Sequence, residues 1–158
     1  MRPLDRTDRR IIALLQENAR RSNKELAALT GIAPSTCSER VRRLEEDGLF
    51  LGFHADVDPR ALGIGLQAMI ALRLRRHAAD EVDSFRLHAR ALPEVIGVYH
   101  VTGANDFLVH VVVRDAEHLR ELAVSGFTTL PEVAHIETSL IFEHGKAAGL
   151  PDLTGIPD

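Results

Sequence analysis

The chain has 158 residues, of which 45% are hydrophobic and 27% charged, and its formal net charge is −4. This composition is typical of a folded globular protein with one domain or two small ones. Because no apolar run approaches the ~20 residues of a transmembrane helix, and the first residues lack an apolar core, we expect neither a membrane segment nor a secretory signal. The single cysteine excludes an intrachain disulfide framework and fits the reducing cytoplasm.

The first 48 residues carry the pattern of three short helices. Asp5 is positioned to cap a first helix, and Ser22 with Glu25 fits the S-x-x-E capping box that starts a second helix at Asn23. Gly31 is a natural end for that second helix. The apolar positions predicted to build a common core are Ile11, Ile12, Leu15, Leu26 and Leu29.

The third helix is predicted to begin at Pro34, which suits a first helical turn, and to end at Gly48. Its apolar stripe is Cys37, Val41 and Leu44, which predicts a buried, structural thiol rather than a redox switch. The other side chains are hydroxyls followed by arginines. We expect base edges to be approached by Ser35, Thr36, Ser38, Glu39 and Arg42, and phosphates to be contacted by Arg40 and Arg43.

A helix-turn-helix with such a second helix is built to place side chains in a DNA groove. Helix spacing alone is equally compatible with a helical hairpin that has a solvated charged face. The charge distribution favours DNA, because residues 1–54 hold ten Lys/Arg against eight Asp/Glu, whereas residues 55–158 hold nine against fifteen. This weak positive charge does not suit a protein that coats DNA without sequence preference.

The chain after Gly48 changes to strand-rich sequence. Strands are predicted over 66–74, 95–101, 106–113 and 133–142, and helices over 80–92 and 116–124. This βαββαβ order is that of a ferredoxin-like fold. We therefore predict an α+β protein with a winged-helix-like helix-turn-helix domain over 1–48, an extended linker strand over 49–61, a ferredoxin-like domain over 62–145 and a flexible tail over 146–158.

One predicted strand, Phe107–Val113, is apolar at both alternating sets of positions. Such strands are buried on both faces, yet the two helices of this fold cover only one face of the sheet. We therefore predict that two sheets pack face to face in a homodimer, which would present two recognition helices to half-sites ~34 Å apart or multiples of that. The alternative is a bulged or partly exposed sheet.

The predicted turn between the second and third strands carries Gly103 and Asp106. Glycine allows close approach of backbone N–H groups to an anion, and the carboxylate could accept from an ammonium group. From these residues alone, an ordinary hairpin turn is the simpler interpretation.

Several motifs resemble the Lrp/AsnC family of leucine-responsive and related regulators, over nearly the whole chain except the last dozen residues. The motifs are Leu4–Asp8, Ser38–Glu45, Gly52–Phe53, Val101–Phe107 and Leu130–Val133. The resemblance implies a sequence-specific transcriptional regulator, not an enzyme, whose assembly or DNA binding responds to a small effector, usually an amino acid. It also implies that dimers assemble further, often into octamers. We expect no cofactor.

The resemblance places the effector in the predicted turn, where a neighbouring dimer closes the pocket. The implied contacts are Thr102, Gly103, Ala104, Asn105 and Asp106, with Thr138 and Ser139 as looser candidates on the last strand. Two alternatives stay open: an architectural DNA-compacting protein without an effector, and a small-molecule-binding or enzymatic ferredoxin-like domain with a helical interaction module. The Gly63–Ala68 motif satisfies G-x-G-x-x-A but precedes a strand, which is the wrong context for a dinucleotide site.

Overall fold

A computed structural model of the chain describes residues 3–154. Residues 1–2 and 155–158, which are the ends of the predicted DNA-binding domain and of the predicted tail, lie outside this range. The described chain divides into a helical unit, residues 3–56 with 145–154, and a sheet unit, Val57–His144. No helix in the described range is long and apolar enough to cross a membrane.

The helical unit contains three helices, α1 (Arg6–Glu17), α2 (Asn23–Thr30) and α3 (Pro34–Glu46). Asp5 and Ser22 cap the first two helices, each through a reciprocal capping box with the residue three positions later. The predicted starts of both helices are therefore confirmed. They could be predicted because each capping box joins residues only three positions apart.

The turn between α2 and α3 is set by two residues with special backbones. Gly31 ends α2 with a φ of 70°, in the left-handed region that a side chain disfavours. Pro34 occupies the first turn of α3, where its missing N–H costs nothing. The helical core is formed by Ile11, Leu14, Leu15, Leu26, Ala27, Cys37, Val41 and Leu44.

One predicted core position of the helical unit is wrong. Leu29 is 51% exposed, because the buried face of α2 consists of Leu26 and Ala27.

The chain after α3 also differs from its prediction. Of the linker strand predicted over 49–61, residues 49–58 belong to no sheet of the described chain, and a short 3₁₀ helix, Pro59–Leu62, begins in its last three residues.

The sheet unit has the predicted βαββαβ order. Its elements are β1 (Leu66–Leu74), α4 (Ala79–Ala91), β2 (Val95–His100), β3 (Phe107–Val113), α5 (Ala116–Leu122) and β4 (Val133–Leu140). All neighbouring strands are antiparallel, in the order β2-β3-β1-β4. A short 3₁₀ helix precedes β1, and α5 continues as a π-helix over Ala123–Thr128.

Helices α4 and α5 cover one face of this sheet. The core beneath them is built around three fully buried aromatic rings, with Phe85 lying 4.6 Å from Phe107 and 6.3 Å from Phe127 between ring centroids. Alternate residues of β1 and β3 complete this layer because successive side chains of a strand point to opposite faces. These residues are Ala68, Ile70, Leu72, Leu74, Val109, Val111 and Val113.

The other alternation forms a second sheet face, which we call the open face. The strand register places Leu108 opposite Ala71 and Tyr99, and His110 opposite Met69, so these side chains lie on one side. Leu108, Met69 and Ala71 are half-buried and Tyr99 is 52% exposed. The open face therefore has an apolar centre on β1 and β3 that carries no helix of the sheet unit, and the same register places the polar residues Glu137 and Ser139 of β4 on this side.

The last described residues return to the helical unit and contact α1. The backbone N–H of Leu150 donates to Oε1 of Gln16 at 2.6 Å, and Nε2 of Gln16 donates to the Leu150 carbonyl at 3.4 Å. The guanidinium of Arg9 contacts the side chains of Asp152 and Thr154. These contacts hold the described part of the segment that we predicted to be a flexible tail.

Candidate functional site

The exposed face of α3 lies opposite its buried stripe. It is formed by five polar side chains that the sequence predicted at base edges: Ser35, Thr36, Ser38, Glu39 and Arg42. We call this set the recognition face. Because the apolar stripe fixes the other side of the helix in the core, these five side chains are presented together to solvent.

The guanidinium of Arg42 is the most accessible positive charge on this face, with 61% of its side chain exposed. It pairs with Glu46, one helical turn later, and that carboxylate is similarly exposed. An exposed pair of this kind contributes only about 0–1 kcal/mol to stability. Arg42 can therefore exchange its partner for a DNA acceptor at small cost.

The other two predicted arginines point differently. Nη1 of Arg40 lies 2.6 Å from Oδ2 of Asp5 and 2.7 Å from Oδ1 of Asp8, both at the start of α1. Nη2 of Arg43 lies 3.3 Å from the same Asp8 oxygen. The structure thus brings five predicted DNA contacts together on the recognition face and turns Arg40 and part of Arg43 towards α1.

The ion pairing changes the titration of the charged groups. Desolvation raises the pKa of Asp5, but the hydrogen bonds from Arg40 and from the backbone of Asp8 and Thr7 outweigh it and hold the pKa below its ordinary value. Hydrogen bonds to Asp5 and Asp8 raise the pKa of Arg40. Sequence analysis missed Asp8, since a D-x-x-D pattern signals a helix cap and not a partner on another helix.

The turn from Thr102 to Asp106 is held by its last residue. Oδ2 of Asp106 accepts from the backbone N–H of Leu74 at 2.7 Å, and Oδ1 lies 2.8 Å from Nε2 of His77. Only 15% of the Asp106 side chain is exposed. Asp106 therefore anchors the turn to the end of β1, a role that neither sequence spacing nor turn composition indicated.

The rest of this turn is accessible. Thr102, Gly103 and Ala104 are exposed, and Asn105 is half-buried. Gly103 has a φ of 119°, a backbone conformation that a side chain would strain. We call residues 102–106 the anchored turn.

The two looser candidates on β4 are not equivalent. Thr138 pairs with Ile70 and Ser139 with Met69, so the two side chains point to opposite faces of the sheet. Strand β4 is also separated from β3, which follows the anchored turn, by β1. A ligand on one face of the sheet can therefore meet at most one of these two side chains.

Comparison with known proteins matches both units. A family model described as "Lrp/AsnC ligand binding domain" matches residues 67–150, and one described as "Winged helix-turn-helix DNA-binding" matches residues 4–50. The HTH-type transcriptional regulator AldR of Mycolicibacterium smegmatis is 48% identical over 147 residues, covering 93% of this chain and 86% of that protein.

More distant relatives agree. The leucine-responsive regulatory protein of Escherichia coli K12 is 35% identical over 143 residues, which cover 90% of this chain and 87% of that protein. The crystal structure of a transcriptional regulator from Neisseria meningitidis in complex with L-Met has a TM-score of 0.88 and 28% identity, covering 96% of this chain and 98% of that one. These relatives are regulators rather than enzymes. The chain therefore belongs to the Lrp/AsnC family of transcriptional regulators.

Proposed function

We propose that this regulator reads a specific duplex through the recognition face. The observation that supports this most directly is the exposure of five polar side chains along one side of α3, with hydroxyls preceding Arg42. Hydroxyl groups and arginine are suited to base edges and phosphates in a major groove. Arg43 keeps N–H groups beyond the one near Asp8 and is proposed to contact a phosphate. The phosphate contact predicted for Arg40 would require Arg40 to give up its pairs with Asp5 and Asp8. Because the partner is chromosomal DNA, we propose that the protein acts in the cytoplasm.

Replacing Arg42 with alanine should weaken binding to a selected duplex by about 1–3 kcal/mol and relax preference at one base position. The measurement is a competition titration against every single-base substitution of that duplex. Arg120→Ala is a matched control, because Arg120 is an equally exposed helical arginine, paired with Glu117, in the sheet unit. Equal losses on selected and scrambled duplexes would rule out base reading by Arg42.

We propose that the open face is covered by a second copy of the chain. The apolar centre of a sheet face that no helix covers is suited to sheet-on-sheet packing. His110 is compatible with such cover, since burial and then the neighbouring His144 lower its pKa and so favour the uncharged ring. Two-fold packing would present two recognition faces to a pseudopalindromic site, and dimers are proposed to associate further.

We propose that the sheet unit binds a small effector, most simply an amino acid, at the anchored turn. Two observations support this: the match to a ligand-binding family model and the solved relative in complex with L-Met. Backbone N–H groups around Gly103 can face a carboxylate. Thr102, Ala104 and Asn105 are proposed contacts, with Thr138 or Ser139 from a neighbouring dimer.

The effector is proposed to change how dimers associate, and hence which recognition faces reach DNA together. This requires that the effector bind one assembly better than another. A mobility-shift titration tests the whole proposal, using DNA from upstream of the protein's own gene against shuffled competitor, with and without the twenty amino acids. We expect selective binding that one amino acid alters. Binding that ignores both sequence and amino acids would favour an architectural role.

A further inference from the structure

A charged network joins α1 to α3 and is centred on Asp8. The Asp8 side chain is fully buried, and its Oδ1 accepts from Arg40 at 2.7 Å and from Arg43 at 3.3 Å. Its Oδ2 accepts from the backbone N–H of Asp5 at 3.3 Å, which completes the cap of α1. One carboxylate therefore closes the start of α1 and binds two arginines of the recognition helix.

Among the arginines of α3, Arg40 makes the most contacts with the carboxylates of this network and has the least exposed side chain. Its Nη1 bridges Asp5 and Asp8, and only 23% of its side chain is exposed, against 61% for Arg42. A guanidinium whose charge is neutralised by two carboxylates attracts a phosphate weakly. Because it neutralises a phosphate only weakly, it also releases few of the counterions that are condensed on DNA.

The network gives the contact between α1 and α3 a defined orientation, which apolar packing alone does not provide. The buried stripe of α3 is only Cys37, Val41 and Leu44, and hydrophobic contact has no direction of its own. Charge-assisted hydrogen bonds fix distance and angle. Side chains that read base edges tolerate displacements of only about 0.5 Å or 10–20°.

We infer that Asp8 is a positioning residue for DNA recognition, which sets the rotation of α3 on α1 through Arg40 and Arg43. Arg40 then acts through this network rather than by touching a phosphate. The inference rests on the proposed use of the recognition face. It predicts that breaking the network disturbs every base contact at once, whereas loss of one exposed side chain disturbs one position.

The test uses the full chain and a labelled duplex that the wild-type protein selects from a random pool. Asp8→Asn and Arg40→Gln should each reduce the preference for this duplex over a scrambled one by at least tenfold, across all base positions. Their slopes of log affinity against log salt should equal that of the wild type, because no phosphate contact is lost. Arg42→Gln is the matched control and should lose preference at one position only.

The double variant Asp8→Asn, Arg40→Gln separates the two roles of Arg40. If both residues act in one network, the double variant should lose no more preference than either single variant. A fall in slope of about 0.9 in Arg40→Gln would instead reveal a lost phosphate contact and overturn the inference. Additive losses in the double variant would overturn it as well.

Cys37 provides the folding control. It is the single cysteine of the chain and is fully buried in the helical core, so its reaction with a thiol reagent reports opening of that core. Wild-type preference in Asp8→Asn with Cys37 still protected would overturn the inference. If Asp8→Asn exposes Cys37, the test passes to Arg40→Gln, because Arg40 is less buried than Asp8. A wild-type slope of log affinity against log salt in Arg40→Gln then supports the inference, and a reduced slope overturns it. Failure of the wild-type protein to select any duplex would refute the proposed recognition face instead.

Discussion

Replacing Leu108 with aspartate should convert the proposed homodimer to a monomer. Leu108 lies on the inner strand β3, opposite Ala71 and Tyr99 on the open face. Covering a carboxylate by an apolar partner without a hydrogen bond costs several kcal/mol, and two-fold packing places the change on both sides of the interface. Sedimentation equilibrium over a range of protein concentrations measures the shift directly.

Loss of the dimer should also weaken DNA binding, by roughly 10²-fold on a duplex with two half-sites. Binding to a duplex with one half-site should be unchanged, because each recognition face is intact. Leu87→Asp is the matched control: Leu87 lies on α4, is 68% exposed, and is expected to leave the dimer intact. A Leu108→Asp protein that remains dimeric would mean that the open face is not the interface.

Replacing Asp106 with alanine should destabilise the sheet unit and abolish measurable effector binding. The change removes the acceptor of the Leu74 N–H, a charge-assisted hydrogen bond whose loss costs about 1.5–3 kcal/mol. It also removes the side-chain bond that ties the turn to the end of β1 and leaves the backbone bond from the Asp106 N–H to the Leu72 carbonyl, so Gly103 and its neighbours are held less firmly. Thermal unfolding of the full chain and calorimetric titration with the responsive amino acid measure the two effects.

Asp106→Asn distinguishes anchoring from direct contact with the effector. The amide oxygen of asparagine can still accept from Leu74, so stability should return to near that of the wild-type protein. If Asp106 only anchors the turn, effector affinity should return with stability. If its carboxylate also meets an ammonium group, affinity should stay low in the stable variant. An Asp106→Ala protein with wild-type stability and affinity would contradict both roles.

Local rules made much of the fold predictable. Asp5 and Ser22 begin helices through hydrogen bonds to residues three positions away, and Gly31 and Pro34 set the intervening turn by their own backbone preferences. The period-two pattern of the sheet strands likewise depends only on neighbouring residues. Each of these features can be identified within a few residues of sequence, and each is present in the structure.

The features that sequence could not predict all depend on distant partners. Arg40 meets Asp8 across 32 positions, and the backbone N–H of Leu74 meets Asp106 across the same separation. Spacing identified Arg40 as part of a polar helix side, and composition identified Asp106 as a turn residue. Neither spacing nor composition could reveal that the side chains of Arg40 and Asp106 bond to distant groups within the protein. The exposure of Leu29 has the same origin, because the packing angle of α2 decides which side is covered.

The return of the chain to α1 makes the helical unit discontinuous in sequence. A fragment cut after Asp56 contains all three helices but lacks the segment that bonds to Gln16 and Arg9. An excised helical unit that keeps these contacts therefore includes both stretches, joined from Asp56 to Gly145. The ends are suited to this, since Nζ of Lys146 lies 3.2 Å from Oδ2 of Asp56. In genetic terms, the codons of the sheet unit lie between two stretches of codons that both specify the helical unit.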